Sequence, residues 1–184
     1  MFLKIKKEKT NNPSIPFSSI MLFYFLLLIF HIFSAMIWVG GMIFYVIVVI
    51  PVIRNPELKD QKLRLLQLTA LQFRNISYFV FLVFVISGIG LLYNKGYFES
   101  NGALLTTNIG YMFLAKIGLF TILFLSSLYH DFVTGPKTFI YLESDPIQYE
   151  RYRKTSAFFG RFNLLVSVSI ALLGILASRG FSLF

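Results

Sequence analysis

Residues 20–50 read IMLFYFLLLIFHIFSAMIWVGGMIFYVIVVI. These 31 residues contain no acidic or basic side chain apart from the imidazole of His31. A helix rises about 1.5 Å per residue and the hydrocarbon core of a bilayer is about 30 Å thick, so the run is long enough to cross. Within it Tyr24, His31, Trp38 and Tyr45 recur every seven residues. Seven residues are close to two helical turns, which places the four along one stripe. A spanning helix that lines up its one ionisable group with its polar-tipped aromatics has a face meant for other protein.

The rest of the composition agrees. The chain has 184 residues, 57% hydrophobic and 14% charged, with a mean hydropathy of +0.73. A soluble domain carries about 25% charged residues. The formal charge of +9 comes from 17 basic and 8 acidic residues. The basic residues sit between apolar runs, as cytoplasmic-leaflet bias and anionic lipid produce, and not on a nucleic-acid-binding face. There is no cysteine, which excludes disulfides, thiolate metal sites, cysteine nucleophiles and iron–sulfur clusters. The opening apolar run is too long for the core of a cleaved signal peptide and lacks a small-residue cleavage site.

In order, residues 1–19 form a loose basic tail with Lys4, Lys6, Lys7, Lys9, Pro13 and Pro16. The first span, residues 20–50, is expected to end at Pro51. Asn55-Pro56-Glu57 is a helix-start signal for a segment that carries Lys59, Lys62 and Arg64 in water, then spans over about 75–93. Ser87, Gly88 and Gly90 give this second span a small-residue face for close packing. After a short loop at 94–103, a third span runs over about 104–130, and Gly135-Pro136 is expected to break the chain. Ser144-Asp145-Pro146 starts a basic helix that becomes the fourth span, about 157–178.

The expected fold is therefore all-α: a polytopic membrane protein with a four-helix transmembrane bundle. Its halves suggest two repeated helical hairpins, since Arg74 precedes Gly88 by 14 residues and Arg161 precedes Gly174 by 13. With the N-terminus outside, Arg54, Lys59, Lys62, Arg64, Arg74, Lys137, Arg151, Arg153 and Lys154 are cytoplasmic, nine against six on the other side. The positive-inside rule favours that orientation, although the lysine tail opposes it.

Ionisable groups at membrane depth cost free energy and need an account. His31 lies 11 residues from Ile20, and Lys116 lies 12 from Leu104 on a helix running the same way. They are expected at one level, with Met112 one turn from Lys116. His130 follows Lys116 by 14 residues, close to four turns and about 21 Å further along. It belongs with Asp131, Arg161 and Arg74 in a second layer near the surface, with Asn163 just inside. Asp131 and Arg161 are expected to pair across the third and fourth helices.

Each group has a bland reading beside a functional one. His31 could bond a carbonyl or serine across the bundle, or hold a metal, a haem or a substrate. Lys116 is too far from either helix end to reach water easily, which favours an anionic ligand or a direct functional role. His130 is either a satisfied interfacial residue or a metal ligand beside His31 and Met112. Arg74, Asp131, Arg161 and Asn163 read mainly as a structural polar network. Trp38 is placed to pack beside whatever His31 holds. No acid lies deep in a span, which speaks against a proton-coupled transporter, and no catalytic triad, Walker loop or dinucleotide fingerprint appears.

These residues carry two resemblances. His31, Trp38-Val39-Gly40-Gly41, Pro51, Arg54, Phe73-Arg74, Ser87-Gly88, Lys116, the run from His130 to Lys137, Arg161-Phe162-Asn163-Leu164-Leu165 and Arg179-Gly180 together resemble copper-resistance D (CopD-like) membrane proteins over about residues 25–180. That resemblance implies a four-helix bacterial inner-membrane protein linked to copper binding, transport or homeostasis, with His31, His130 and Met112 as candidate ligands. His31, Trp38, Gly41 and Phe44-Tyr45 are also similar to the first helix of HemJ-type protoporphyrinogen oxidases. This second resemblance implies a haem b-binding membrane oxidoreductase, with His31 on the haem and Lys116 on a porphyrin propionate or in proton transfer. An assembly role without a cofactor is the third reading. The expected partners are the bilayer, a metal ion or porphyrin, and a second copy of the chain.

Overall fold

The computed structural model describes residues 17–98 and 103–181. The lysines of the tail, together with Asn101 and Gly102 of the expected loop, lie outside these. Among the described residues the chain is helical without strands. Four helices are long and apolar enough to cross a membrane: α1 (Ser18–Ile53), α2 (Lys62–Asn94), α3 (Asn108–Ile140) and α4 (Pro146–Ser178). The all-α four-helix architecture is as expected. The helices are longer than the apolar runs because the basic, polar extensions of α2 and α4 continue the same helices into the aqueous side.

The starts follow local chemistry. Asp145 accepts from the backbone N–H groups of Ile147 and Gln148, both at 3.0 Å, with Pro146 in the first turn of α4. Thr107 accepts from Gly110 at 3.0 Å and so starts α3 a turn later than hydropathy alone suggests. Asn55 caps Glu57 at 3.2 Å, but the turn it opens is a short 3-10 segment, Pro56–Leu58, and α2 begins only at Lys62.

The two prolines do not end their helices, contrary to expectation. Pro51 lies inside α1 and Pro136 inside α3. Each is the second residue after a π-helical turn, Tyr45–Val49 and His130–Thr134 respectively. A proline lacks the N–H that would bond four residues back, and its ring crowds that carbonyl. Here those carbonyls belong to Ile47 and Phe132, inside the two wide turns. Widening the ladder at that point makes room for the ring and lets the helix continue. A third π turn, Met36–Gly40, carries Trp38.

Helix α1 packs on α2, and α3 on α4. The predicted stripe on α1 faces α2 from His31 onward. His31 meets Ser87, Trp38 stacks on Phe73 at 5.6 Å and meets Phe81 at 4.5 Å, and Tyr45 bonds Thr69 at 3.1 Å. Tyr24, the first of the stripe, touches only its neighbour Phe25 in a ring contact. The two hairpins close around Trp38, Met42, Val80, Phe81 and Leu123, with Leu164, Val166 and Ile170 of α4 against them. Phe81 turns its faces to Phe120 and Phe124 of α3 at 5.6 and 5.5 Å. Outside this core the helices present Leu22, Phe23, Ile47, Phe79, Leu82, Leu125 and Leu165 exposed, a surface suited to lipid.

Glycine is required where backbones meet. A Cβ on Gly110 would strike the backbone carbonyls of Ala103 and Leu104, which cannot swing aside, whereas one on Gly118 would meet nothing. Gly110→Ala is expected to destabilise the protein by about 1–3 kcal/mol, and Gly118→Ala to be neutral or stabilising by up to about 1 kcal/mol. Thermal unfolding in mild detergent, followed by circular dichroism, checks the contrast. Equal effects of the two substitutions would refute this packing.

Candidate functional site

The interior layer is built from one group on each helix of the two hairpins. His31 on α1 is half-buried, and its Nδ1 lies 3.0 Å from Ser87 Oγ on α2. Ser87 has one proton, and its hydroxyl donates to the Val83 carbonyl at 2.6 Å. In the His31 contact Ser87 can therefore only accept, which makes Nδ1 the donor and leaves the lone pair on Nε2. The ring is also held edge-on by Phe84 at 4.9 Å. Gly88 closes the other side, where an added Cβ would stand 3.5 Å from the imidazole Cε1. The imidazole is thus fixed in place and in tautomer by α2 alone.

Lys116 plays the corresponding part on α3. Its ammonium lies over Gly174 of α4, so close that a Cβ there would come within 3.2 Å of Nζ. Among the described residues no carboxylate, carbonyl or hydroxyl accepts a hydrogen bond from it. His31 and Lys116 come within electrostatic reach of each other, and Phe84 of α2, which holds the His31 ring, meets Phe120 of α3 at 5.9 Å in a tilted contact. The equal depth read from the sequence thus corresponds to one interior region. Both residues also stand twenty positions before the proline of their own helix, Pro51 and Pro136. Both rest on a glycine of the partner in their hairpin.

Two turns further along α1, Trp38 is only 5% exposed. Its indole Nε1 is the one buried side-chain nitrogen or oxygen without a partner among the described residues. A buried orphan donor costs about 1–3 kcal/mol, and such groups survive where something else answers them. Met112 is completely buried one turn before Lys116.

The second layer has a different membership from the one expected. Asp131 accepts from His130 Nδ1 at 2.7 Å and from the Tyr78 hydroxyl at 3.2 Å. Arg74 donates to the Asp131 backbone carbonyl at 3.5 Å and lies over the Phe132 ring at 5.4 Å. The expected Asp131–Arg161 pair is absent. Arg161 is exposed and donates to the Ala157 carbonyl of its own helix at 3.1 Å. The reason is angular: Arg161 and Asn163 are two residues apart, about 200° around a helix, and cannot both face α3. Asn163 takes the inner face, where its carbonyl accepts from Ser126 at 2.6 Å and its amide donates to Ser127 at 3.2 Å. The network is therefore two separate clamps, Arg74–Tyr78–Asp131 between α2 and α3 and Asn163–Ser126–Ser127 between α3 and α4. Tyr78 follows Arg74 by one turn, which was its only signal in the sequence.

The candidate metal ligands do not converge. His31 sits at Ser87 of α2, whereas His130 joins Asp131 at Tyr78, nine residues and about 13 Å away along the same helix. Among the described residues no three histidine, aspartate or glutamate side chains gather as a metal site would need.

No protein-family model matches the chain, and no solved structure matches it. It is similar to an uncharacterized protein of Aquifex aeolicus (strain VF5), 26% identical over 159 residues that cover 85% of this chain and 96% of the relative. The likeness runs through nearly the whole of both chains. Neither the copper-resistance D nor the HemJ resemblance gains a named relative from it.

Asp131→Asn is expected to cost about 1–3 kcal/mol by weakening its bonds to His130 and Tyr78. Arg161→Gln should cost under about 0.5 kcal/mol, and the double variant the sum of the two. Equilibrium unfolding in detergent reads all three. A double variant no weaker than Asp131→Asn, with Arg161→Gln costly alone, would restore the ion pair.

Proposed function

We propose that the protein is a multi-pass bacterial inner-membrane protein that holds haem b, or a closely related metalloporphyrin, in a membrane oxidoreductase. In this reading His31 would hold the metal of the porphyrin and Lys116 would pair with one of its carboxylates. The observation that carries it is the seat of His31: Nδ1 lies 3.0 Å from Ser87 Oγ, whose hydroxyl is 2.6 Å from the Val83 carbonyl, an arrangement in which Nδ1 donates and Nε2 is left to a ligand. A metal-ligating histidine commonly donates its other N–H to a neighbouring acceptor in this way. Bound haem would supply one-electron chemistry.

The chain's own residues would position and shield that group. Ser87 and Phe84 hold the imidazole plane, so that the ligand side is set by α2 and not by solvent. Gly88 and Gly174 remove the side chains that would otherwise cover His31 and Lys116. Trp38 offers an unmet N–H donor to an oxygen of a ligand lying along α1. Copper handling, implied by the resemblance to copper-resistance D proteins, would have to use His31 without His130, since the two lie on different levels. The basic residues flanking the helices support an outside N-terminus.

The test is a visible spectrum with metal analysis of the full chain purified in mild detergent. A Soret band is expected, lost in His31→Ala, reduced several-fold in Lys116→Met and retained in Lys116→Arg. Ser87→Ala should lower haem retention less than His31→Ala does. A Soret band that survives His31→Ala, or a colourless protein with stoichiometric copper, would overturn the proposal.

A further inference from the structure

Beyond the C-terminal end of α2 and the start of α3 lies an open cleft of about 440 Å³, lined by Lys95, Tyr97, Ala103, Thr107 and Ile109. Lys95 is held there by the ring of Phe113, with Nζ 5.7 Å from the ring centroid, and Tyr97 packs on the same ring at 5.1 Å. Phe113 precedes Lys116 by one turn of α3. Lys95 thus reaches α3 one turn short of Lys116.

Among the described residues neither lysine pairs with a carboxylate. Two cations one helical turn apart along α3, the inner one half-buried, make a place where an anion would be favoured. Lys95 is exposed at the cleft, and its ammonium lies over the Phe113 ring.

We infer that this cleft is an outer anion subsite, in which Lys95 receives a carboxylate of a bilayer-borne amphiphile bound further in by Lys116. The inference rests on the reading of Lys116 given above and extends it outward to the entrance. A ligand carrying two acidic groups would bridge the two lysines. A ligand with one would meet Lys95 first and then pass to Lys116. Lys95 therefore acts on capture as well as on affinity, because a cation at a cleft mouth steers an approaching anion.

The experiment uses the full chain in zwitterionic detergent and, as probe, a fluorescent metal-free porphyrin dicarboxylate beside its dimethyl ester. Without a metal the probe does not depend on ligation by His31. The free acid is expected to bind at least about tenfold more tightly than the ester. Lys95→Gln should weaken the acid about three- to fivefold, slow its association and flatten the salt dependence, leave the ester unchanged, and be rescued by Lys95→Arg. Should Lys95→Gln change none of these while Lys116→Gln weakens the acid, the outer subsite is wrong and the inner one stands. Should neither lysine matter, both fail. A repeat in nanodiscs with and without phosphatidylglycerol separates the sources of the anion. Loss of acid binding in the anionic lipid, with no preference for acid over ester in its absence, would make the cleft a lipid-headgroup site and overturn the inference.

Discussion

A helix surrounded by hydrocarbon has no water to complete its backbone, so every carbonyl and N–H has to be answered from within the protein. Much of this structure is the working out of that constraint. Ser77, Ser87 and Thr121 each turn their hydroxyl back onto a carbonyl four residues earlier, at 2.6, 2.6 and 2.9 Å. Pro51 and Pro136 do not break their helices, because a wide turn before each accommodates the one missing donor locally. His31 inherits its tautomer from this economy, since the proton of Ser87 is already committed to its own helix.

The two hairpins solve the same problem twice. In each, a long helix carries an ionisable group twenty residues before a proline, and that group rests on a glycine of the following helix. The chemistry differs between the copies: an imidazole with a lone pair in one, an ammonium in the other. Each hairpin thereby carries one ionisable group over one glycine. Neither hairpin alone holds both.

Much of this is legible in the sequence because it depends on length and periodicity. The four spans follow from apolar runs, the α1–α2 face from the seven-residue stripe, and the common depth of His31 and Lys116 from counting along parallel helices. What fails is what depends on rotation about a helix axis or on local backbone repair. Arg161 and Asp131 share a depth, yet Arg161 points away because Asn163 occupies the inner face. Gly135-Pro136 carries the composition of a break, yet its consequence is the five-residue π turn immediately before it, which no single residue announces. Tyr78 is marked in the sequence only by following Arg74 by one turn, and its part appears once Asp131 is placed beside it.

The contacts of His31 with Ser87, Trp38 with Phe73 and Phe81, and Tyr45 with Thr69 descend one helix as they climb the other. Such a set works as the teeth of a zip. Sliding α1 by a single position against α2 would unseat a ring, an indole and a phenol together, with no intermediate notch in which some stay engaged. The first hairpin is accordingly a single mechanical piece. Any opening of the bundle would be a hinge between hairpins and not a shear within this one.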